Sequence, residues 1–128
     1  VQRKRQYSLL QVKDYLLMQE VANKCQLKPV SILYFYSNEG DCPDCSRAGE
    51  VLTYLRETYP DLRVYSFDYN LDLSALQTLI ALREVRHALP AFVVNNRRTI
   101  YGLKTVSEMQ GLIPELKTLS TTTATTTR

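Results

Sequence analysis

Apolar and polar positions along the first half of the chain predict a strand–helix–strand unit. Residues 31–37 and 62–68 are short runs rich in aromatic and β-branched side chains, which predict two strands. Residues 46–59 between them place apolar side chains three or four positions apart, which predicts a helix. A crossover helix between two strands forms a right-handed βαβ unit, so we expect these strands to be parallel.

A second helical pattern precedes this unit. Residues 8–25 carry an apolar stripe at helical spacing, and Ser8 with Gln11 forms a capping-box pattern at its start. We expect the stripe to pack on the sheet, because it is too short to favour a coiled-coil dimer. The stripe comprises Leu9, Leu10, Val12, Leu16, Leu17, Val21 and Cys25. Within it, Cys25 is expected to be half-buried as a small hydrophobic side chain.

The second half of the chain predicts a helix, a hairpin and a last helix. Apolar spacing indicates a helix from residue 72 or 74 to about residue 85. Two extended runs, residues 89–94 and 98–101, are separated by two asparagines and an arginine, which predicts a β-hairpin. A capping box then begins a helix over residues 105–119, whose internal glycine and proline predict a weak or kinked middle.

The two ends of the chain differ in composition from the rest. Residues 1–7 carry three basic side chains without apolar periodicity, which predicts a flexible arm. The basic flank of a membrane anchor outside this chain is the alternative. Residues 120–128 are mostly threonine and predict a flexible tail or the start of a linker. We therefore expect one domain over residues 8–119, with an N-terminal helix at 8–27 and a core at 28–119.

Composition narrows the function classes. The net charge is only +3, so we expect no nucleic-acid partner. No apolar run approaches the roughly 18 residues of a membrane span. The three cysteines are an odd and sparse set for a disulfide-stapled secreted scaffold. Composition therefore leaves two locations open, the cytoplasm or an anchored extracytoplasmic domain.

The motif Cys42-Pro-Asp-Cys45 lies where the first predicted strand gives way to a helix. Backbone N–H groups and the dipole at a helix N-terminus favour a thiolate, so we predict Cys42 as an exposed nucleophile. Cys45, one turn into the helix, would be the resolving thiol of a redox-active pair. Pro43 is expected at the first helical position, where its missing N–H costs nothing.

Two other interpretations of the motif remain open at this point. It can form a structural disulfide, or half of a zinc site completed by Cys25, His87 and carboxylates or by a second chain. We expect no metal or other cofactor, because the strand-to-helix position, Pro43 and the Leu89-Pro90 pair agree with a redox dithiol. His87 is then expected to be a solvent-facing loop side chain.

Acidic residues surround the motif. Glu39, Asp41 and Asp44 flank the cysteines, and Arg47 is the only cation nearby in sequence. Carboxylates disfavour a second anion, so they should oppose formation of the Cys42 thiolate. A less stable thiolate makes a disulfide harder to reduce, which predicts a reducing rather than a strongly oxidising couple.

With these elements and this motif, the chain resembles the thioredoxin-like superfamily over about residues 28–119. The resemblance implies an α/β fold with a four-stranded mixed sheet flanked by helices, here with an extra N-terminal helix. It also implies that Pro90 is cis and lies against the disulfide, and that Leu89 offers backbone groups to a substrate strand. The chain departs from thioredoxin proper, which carries Trp where Asp41 stands and a buried acid where Tyr34 stands.

The function implied by this resemblance is thiol–disulfide exchange. We expect an oxidoreductase that acts on protein or small-molecule disulfides and transports electrons from an unidentified dithiol or reductase. The alternative is a non-catalytic thioredoxin-like module, in which the Cys42–Cys45 disulfide is structural and a groove beside Pro90 holds a peptide. The missing tryptophan and Tyr34 keep this alternative open.

Overall fold

A computed structural model of the chain describes residues 2–26 and 29–121. The helices are α1 Gln2–Cys25, α2 Cys45–Thr58, α3 Ser74–Leu82 and α4 Val106–Leu112, followed by a 3-10 helix Pro114–Thr118. The strands are β1 Ser31–Tyr36, β2 Arg63–Asp68, β3 Ala91–Val94 and β4 Arg98–Tyr101. In this part of the chain, no helix combines the length and the apolar character that crossing a membrane requires.

The strands form one mixed sheet in the order β2-β1-β3-β4. β1 is parallel to β2 and antiparallel to β3, and β3 is antiparallel to β4. β1 is central, and its first five residues are buried, as expected of a strand covered on both faces. The predicted α/β fold, with a four-stranded mixed sheet flanked by helices, is confirmed.

Side chains that alternate along β1 enter two hydrophobic cores. Leu33 and Phe35 face the core formed with α1, α3 and β2. Ile32 and Tyr34 face the opposite core, formed with α2, α4 and the 3-10 helix. Because strand side chains alternate between faces, one apolar run supports helices on both sides of the sheet. The C-terminal end of β1, which leads into the cysteine motif, is therefore held between the helices on the two faces of the sheet.

Helix α1 begins at Gln2, so the predictions of a flexible basic arm and of a cap at Ser8 are wrong. The Lys4 ammonium lies 2.6 Å from the carboxylate of Asp68, which is only 7% exposed. A buried carboxylate needs a charged or hydrogen-bonding partner, and this pair ties the first turn of α1 to β2. Gln11, the other half of the predicted cap, instead bonds the backbone N–H and C=O of Ser66.

The buried face of α1 overlaps the predicted stripe only in part, with Val12 buried and Leu9 and Val21 half-buried. Its buried residues are Ser8, Val12, Tyr15 and Ala22. Leu10, Leu16 and Leu17 are exposed, and so is Cys25, which is a free thiol and not a half-buried one. The hydroxyl of buried Tyr15 forms hydrogen bonds with Asn96 and Arg83. Polar bonds to neighbouring elements, more than the number of apolar side chains, therefore decide which face of α1 is buried.

Other predicted boundaries differ by only a few residues. α3 ends at Leu82, three residues before the predicted end. The hairpin turn forms at Asn95 and Asn96, whose φ angles are +53° and +60°. The capping box of Thr105 is present, and the last predicted helix is interrupted at Ile113. The predicted tail falls largely on residues 122–128, which lie outside the described residues.

A salt bridge joins the hairpin to the 3-10 helix. The Glu115 carboxylate accepts hydrogen bonds from Arg98 at 2.7 Å and 3.1 Å and from Asn95 at 3.1 Å. The Arg98 bonds, with backbone N–H donation, lower the pKa of Glu115 from 4.5 to about 2. This end of the sheet is opposite to the end that carries the cysteines.

We expect Glu115→Gln to lower the free energy of unfolding by about 1 kcal/mol at neutral pH, a value discounted because Arg98 is partly exposed. The folded-state pKa lies below that of the unfolded chain, so this contribution is present above pH 4.5 and is lost as the pH falls through about 2. Urea unfolding at pH 7, 4 and 2.5 measures the effect. A wild-type-to-variant difference that stays constant over this range would contradict it.

Candidate functional site

A disulfide joins Cys42 and Cys45 at the start of α2, with their Cα atoms 5.5 Å apart. Cys45 is the first residue of the helix and is 7% exposed, whereas Cys42 is partly exposed in the preceding turn. Pro43 lies in this turn and not in the helix, so its predicted position is wrong, and Asp44 is the N-cap. The Cys45 N–H donates to the Cys42 carbonyl at 3.3 Å, which closes the turn. One sulfur-bearing residue is therefore accessible and the other sheltered.

The side chain of Tyr34 lies next to the disulfide. Its hydroxyl donates a 2.6 Å hydrogen bond to the carbonyl of Cys45, and its ring stacks on Phe92. Burial raises the pKa of Tyr34 to about 12, with a smaller contribution from Tyr36. Tyr34 therefore stays protonated at neutral pH and cannot accept a proton from a cysteine thiol there.

Ser37 organises the loop between β1 and the motif. Its buried hydroxyl donates to the carboxylate of Asp41 and accepts from the Glu39 N–H at 3.2 Å and from Asn70 at 2.9 Å. A serine hydroxyl has one proton and two lone pairs, and all three are used here. The side chain of Asp41, the residue before Cys42, is thereby held in place.

His87 contacts the same carboxylate from the other side. Its Nε2 lies 2.8 Å from Asp41 Oδ2, and its ring stacks on Tyr69 with centroids 4.9 Å apart. The prediction of a solvent-facing His87 is half right, because the side chain is 48% exposed yet bound to the motif. Asp41 and His87 lie 46 positions apart in sequence, and no local pattern connects them.

Pro90 lies at the same end of the sheet. The Leu89–Pro90 peptide bond is cis, Pro90 is buried and Leu89 is half-buried. β1 and β3 pair Phe35 with Ala91, the residue after Pro90, so Pro90 lies beside the end of β1 that leads into the motif. The Pro90 carbonyl accepts a 2.9 Å bond from Gly102, whose φ of +92° suits glycine. The structure therefore brings together two segments far apart in sequence.

The charged side chains around the motif are all exposed, but they differ in their hydrogen bonds. Glu39, Asp44 and Arg47 are open to solvent. Asp41 is the acid engaged in bonds, and its pKa is lowered chiefly by the Ser37 hydroxyl, with smaller contributions from a backbone N–H and from His87. A negative charge is therefore held one residue from Cys42, while the Glu39 and Asp44 carboxylates lie in water, where their effect on Cys42 is weaker.

A shallow cavity of about 300 Å³ adjoins the disulfide. Its lining includes both cysteines, Tyr34, Tyr36, Ser46 and Gly49. Over residues 2–26 and 29–121, no cluster of three histidine, cysteine or acidic side chains is arranged to hold a metal ion. Among the residues near the disulfide, sequence patterns single out the two cysteines, Asp41, Pro43, Asp44, Leu89 and Pro90. Ser37 and Asn70 carry no sequence signal of their role.

The fold of this chain is similar to that of several solved thioredoxins. Thioredoxin O2 from Arabidopsis thaliana, in its oxidised state, is 23% identical, with a TM-score of 0.55 over 69% of this chain and 75% of that one. Reduced desulfothioredoxin from Desulfovibrio vulgaris Hildenborough is 21% identical, with a TM-score of 0.55 over 69% and 82%. A mutant thioredoxin from Halobacterium salinarum is 22% identical, with a TM-score of 0.56 over 77% and 83%.

Comparison by sequence alone finds no relative of the chain. No protein-family model and no curated protein matches the chain. The likeness to the solved thioredoxins therefore lies in the fold, a four-stranded mixed sheet flanked by helices. The chain is therefore a divergent protein of thioredoxin-like fold.

Proposed function

We propose that this protein is a thiol–disulfide oxidoreductase that uses Cys42 and Cys45 as its redox pair. The observation that carries the proposal is a disulfide at the N-terminus of α2, with Cys42 accessible and Cys45 7% exposed. Backbone N–H groups at a helix start favour the thiolate form of such a cysteine. An accessible Cys42 can react with a substrate disulfide, and a buried Cys45 can then displace the substrate from the mixed disulfide.

The proposed reaction proceeds in two exchanges. The Cys42 thiolate attacks a substrate disulfide, a mixed disulfide forms, and one substrate sulfur leaves as a thiolate that takes a proton from solvent. The Cys45 thiolate then attacks the Cys42 sulfur, so the Cys42–Cys45 bond forms and the second substrate sulfur leaves. The substrate gains two electrons and two protons, and the protein loses them. A dithiol or a reductase must return them.

Substrates are proposed to be disulfides of proteins or of small molecules. Leu89 and Pro90 lie at the end of β1 that leads into the motif, where an extended substrate segment could pair with the Leu89 backbone. The cavity beside the disulfide is small and open to solvent, so we propose recognition of a strand-like segment at the surface. Electron transport would then pass through contact between two proteins.

We propose that the couple is reducing. The carboxylates of Glu39, Asp41 and Asp44 disfavour a Cys42 thiolate, and a less stable thiolate makes the disulfide harder to reduce. Titration of Cys42 by thiolate absorbance tests this charge argument. A Cys42 pKa above 6 is expected, and a value well below 6 would contradict a reducing couple.

The alternative function is a non-catalytic binding module, and Tyr34 favours it. The Tyr34 hydroxyl, which bonds the Cys45 carbonyl, has a pKa of about 12. It is therefore protonated at neutral pH and cannot accept the proton of the resolving thiol Cys45. In such a module the disulfide would be structural, and the surface beside Pro90 would hold a partner peptide.

Insulin reduction distinguishes the two functions. We expect the wild type to reduce insulin with dithiothreitol as electron donor and Cys42→Ser to fall to the rate of dithiothreitol alone. Cys25→Ser is the matched control, because it removes an exposed thiol outside the motif and should keep the wild-type rate. Equal rates for wild type and Cys42→Ser, both at background, would favour the binding module.

A further inference from the structure

We propose that His87 is a positioning residue that acts through Asp41 to set the thiolate fraction of Cys42, so that the reactivity of Cys42 follows the protonation of this one imidazole. The proposal rests on the redox function proposed above and says how pH regulates the reactivity of Cys42. It assigns a role to a side chain that lies outside the Cys-x-x-Cys motif and far from it in sequence.

The geometry makes Asp41 a bridge between two segments. One carboxylate oxygen accepts the Ser37 hydroxyl, and the other lies 2.8 Å from His87 Nε2. Since the Ser37 hydroxyl is also held by Asn70 and by the Glu39 N–H, Asp41 cannot turn away from His87 without breaking this set. Of the two side chains that contact the Asp41 carboxylate, the Ser37 hydroxyl carries no charge, whereas imidazole is the side-chain type that ordinarily gains a proton between about pH 8 and pH 5.

The imidazole is itself held in position. Its ring stacks on Tyr69, whose hydroxyl donates a 2.8 Å bond to the Val85 carbonyl. Arg86, the neighbouring cation in sequence, lies over the ring of Tyr101 at 4.3 Å. The charged group in direct contact with His87 is thus Asp41, and Tyr69 is the other titratable group against it.

The charge seen by Cys42 differs between the two protonation states of His87. With neutral His87, Asp41 presents a full negative charge one residue from Cys42 and opposes loss of its thiol proton to solvent. With protonated His87, the Asp41–His87 pair is neutral and this opposition falls. Tyr34 and Tyr36 beside the cavity stay neutral near neutral pH, because burial raises the pKa of both hydroxyls.

The test is alkylation of Cys42 in the full, reduced chain carrying Cys25→Ser, followed by mass spectrometry between pH 5.5 and 9. His87→Gln keeps an N–H donor for Asp41 but cannot gain a proton. We expect the chain with His87 to react about threefold to tenfold faster than His87→Gln at pH 5.5 and equally fast at pH 9. Equal rates at both pH values would overturn the proposal.

Two further variants test the route through Asp41. In an Asp41→Asn background, the difference between His87 and His87→Gln at pH 5.5 should shrink, because the imidazole loses the carboxylate that holds it beside the motif, and an undiminished difference would overturn the role of Asp41. Asp44→Asn is the matched control, because it removes a carboxylate from the motif without removing a partner of His87. Asp44→Asn should raise the rate at pH 5.5 by the same factor with His87 and with His87→Gln, because Asp44 is no partner of His87.

Alkylation needs no substrate and no turnover, so its result is independent of the insulin assay. A protein that fails to reduce insulin yet shows the pH-dependent difference would lose the proposed function and keep the Asp41–His87 coupling. A protein that reduces insulin with equal alkylation rates would keep the function and lose the coupling. Circular dichroism of each variant checks that the fold is intact, which is expected because His87 is 48% exposed.

Discussion

Replacing Cys45 by serine is expected to lower steady-state disulfide reduction by on the order of a thousandfold or more, because the step that releases the substrate is removed. Cys42 remains accessible and can still attack a substrate disulfide. The first exchange then stops at the mixed disulfide, since no second thiol lies at the helix start to displace the substrate. A covalent protein–substrate adduct should therefore accumulate.

Non-reducing electrophoresis and intact-mass measurement after mixing Cys45→Ser with a disulfide substrate detect this adduct. The double variant Cys42→Ser/Cys45→Ser is the control and should form none, which excludes trapping by the exposed Cys25 thiol. Adduct formation through Cys45 in the single variant Cys42→Ser, at the rate seen for Cys45→Ser, would contradict the assignment of Cys42 as nucleophile.

The second large effect is expected at Phe35, where Phe35→Ala should lower the free energy of unfolding by about 3–5 kcal/mol. Phe35 is 0% exposed in the central strand, and its ring lies 5.8 Å from Phe67 and 6.3 Å from Tyr69. Deletion of the ring leaves a cavity between two strands and α3 that a rigid sheet cannot close. A typical domain has about 5–15 kcal/mol in total, so much of its stability would be lost.

Urea unfolding followed by circular dichroism measures this loss. Tyr54→Ala is the matched control, because it removes an aromatic ring that is 50% exposed and should change stability by less than about 1 kcal/mol. Similar losses for Phe35→Ala and Tyr54→Ala would show that burial in this core is not what stabilises the sheet.

Local signals in the sequence were sufficient for the central elements. The run at residues 31–37 is apolar on both faces, which only a covered central strand requires, and β1 is that strand. Asn95 and Asn96 tolerate positive φ angles, and the hairpin turn forms at these residues. The capping box at Thr105 acts between residues three apart, so it too is visible in the sequence.

Helix α1 shows where local signals were insufficient. Leu10, Leu16 and Leu17 satisfy a helical apolar pattern but are exposed, while Ser8 is buried. The orientation of α1 depends on bonds to distant residues, including Lys4 to Asp68 and Gln11 to Ser66. Such polar contacts depend on where β2 lies, and hydrophobic periodicity contains no information on that position.

By itself, the sequence determined the strand-to-helix junction and the two cysteines at it, because spacing within a few residues is set by backbone geometry. The tertiary structure alone decided that His87 meets Asp41 and that Tyr34 bonds the Cys45 carbonyl. The first contact arises when β1 and β3 pair and bring the segment before Pro90 beside the motif, and the second when α2 packs against β1. The physical reason is that hydrogen bonds act over about 3 Å, so they are defined only after the chain has brought their partners together.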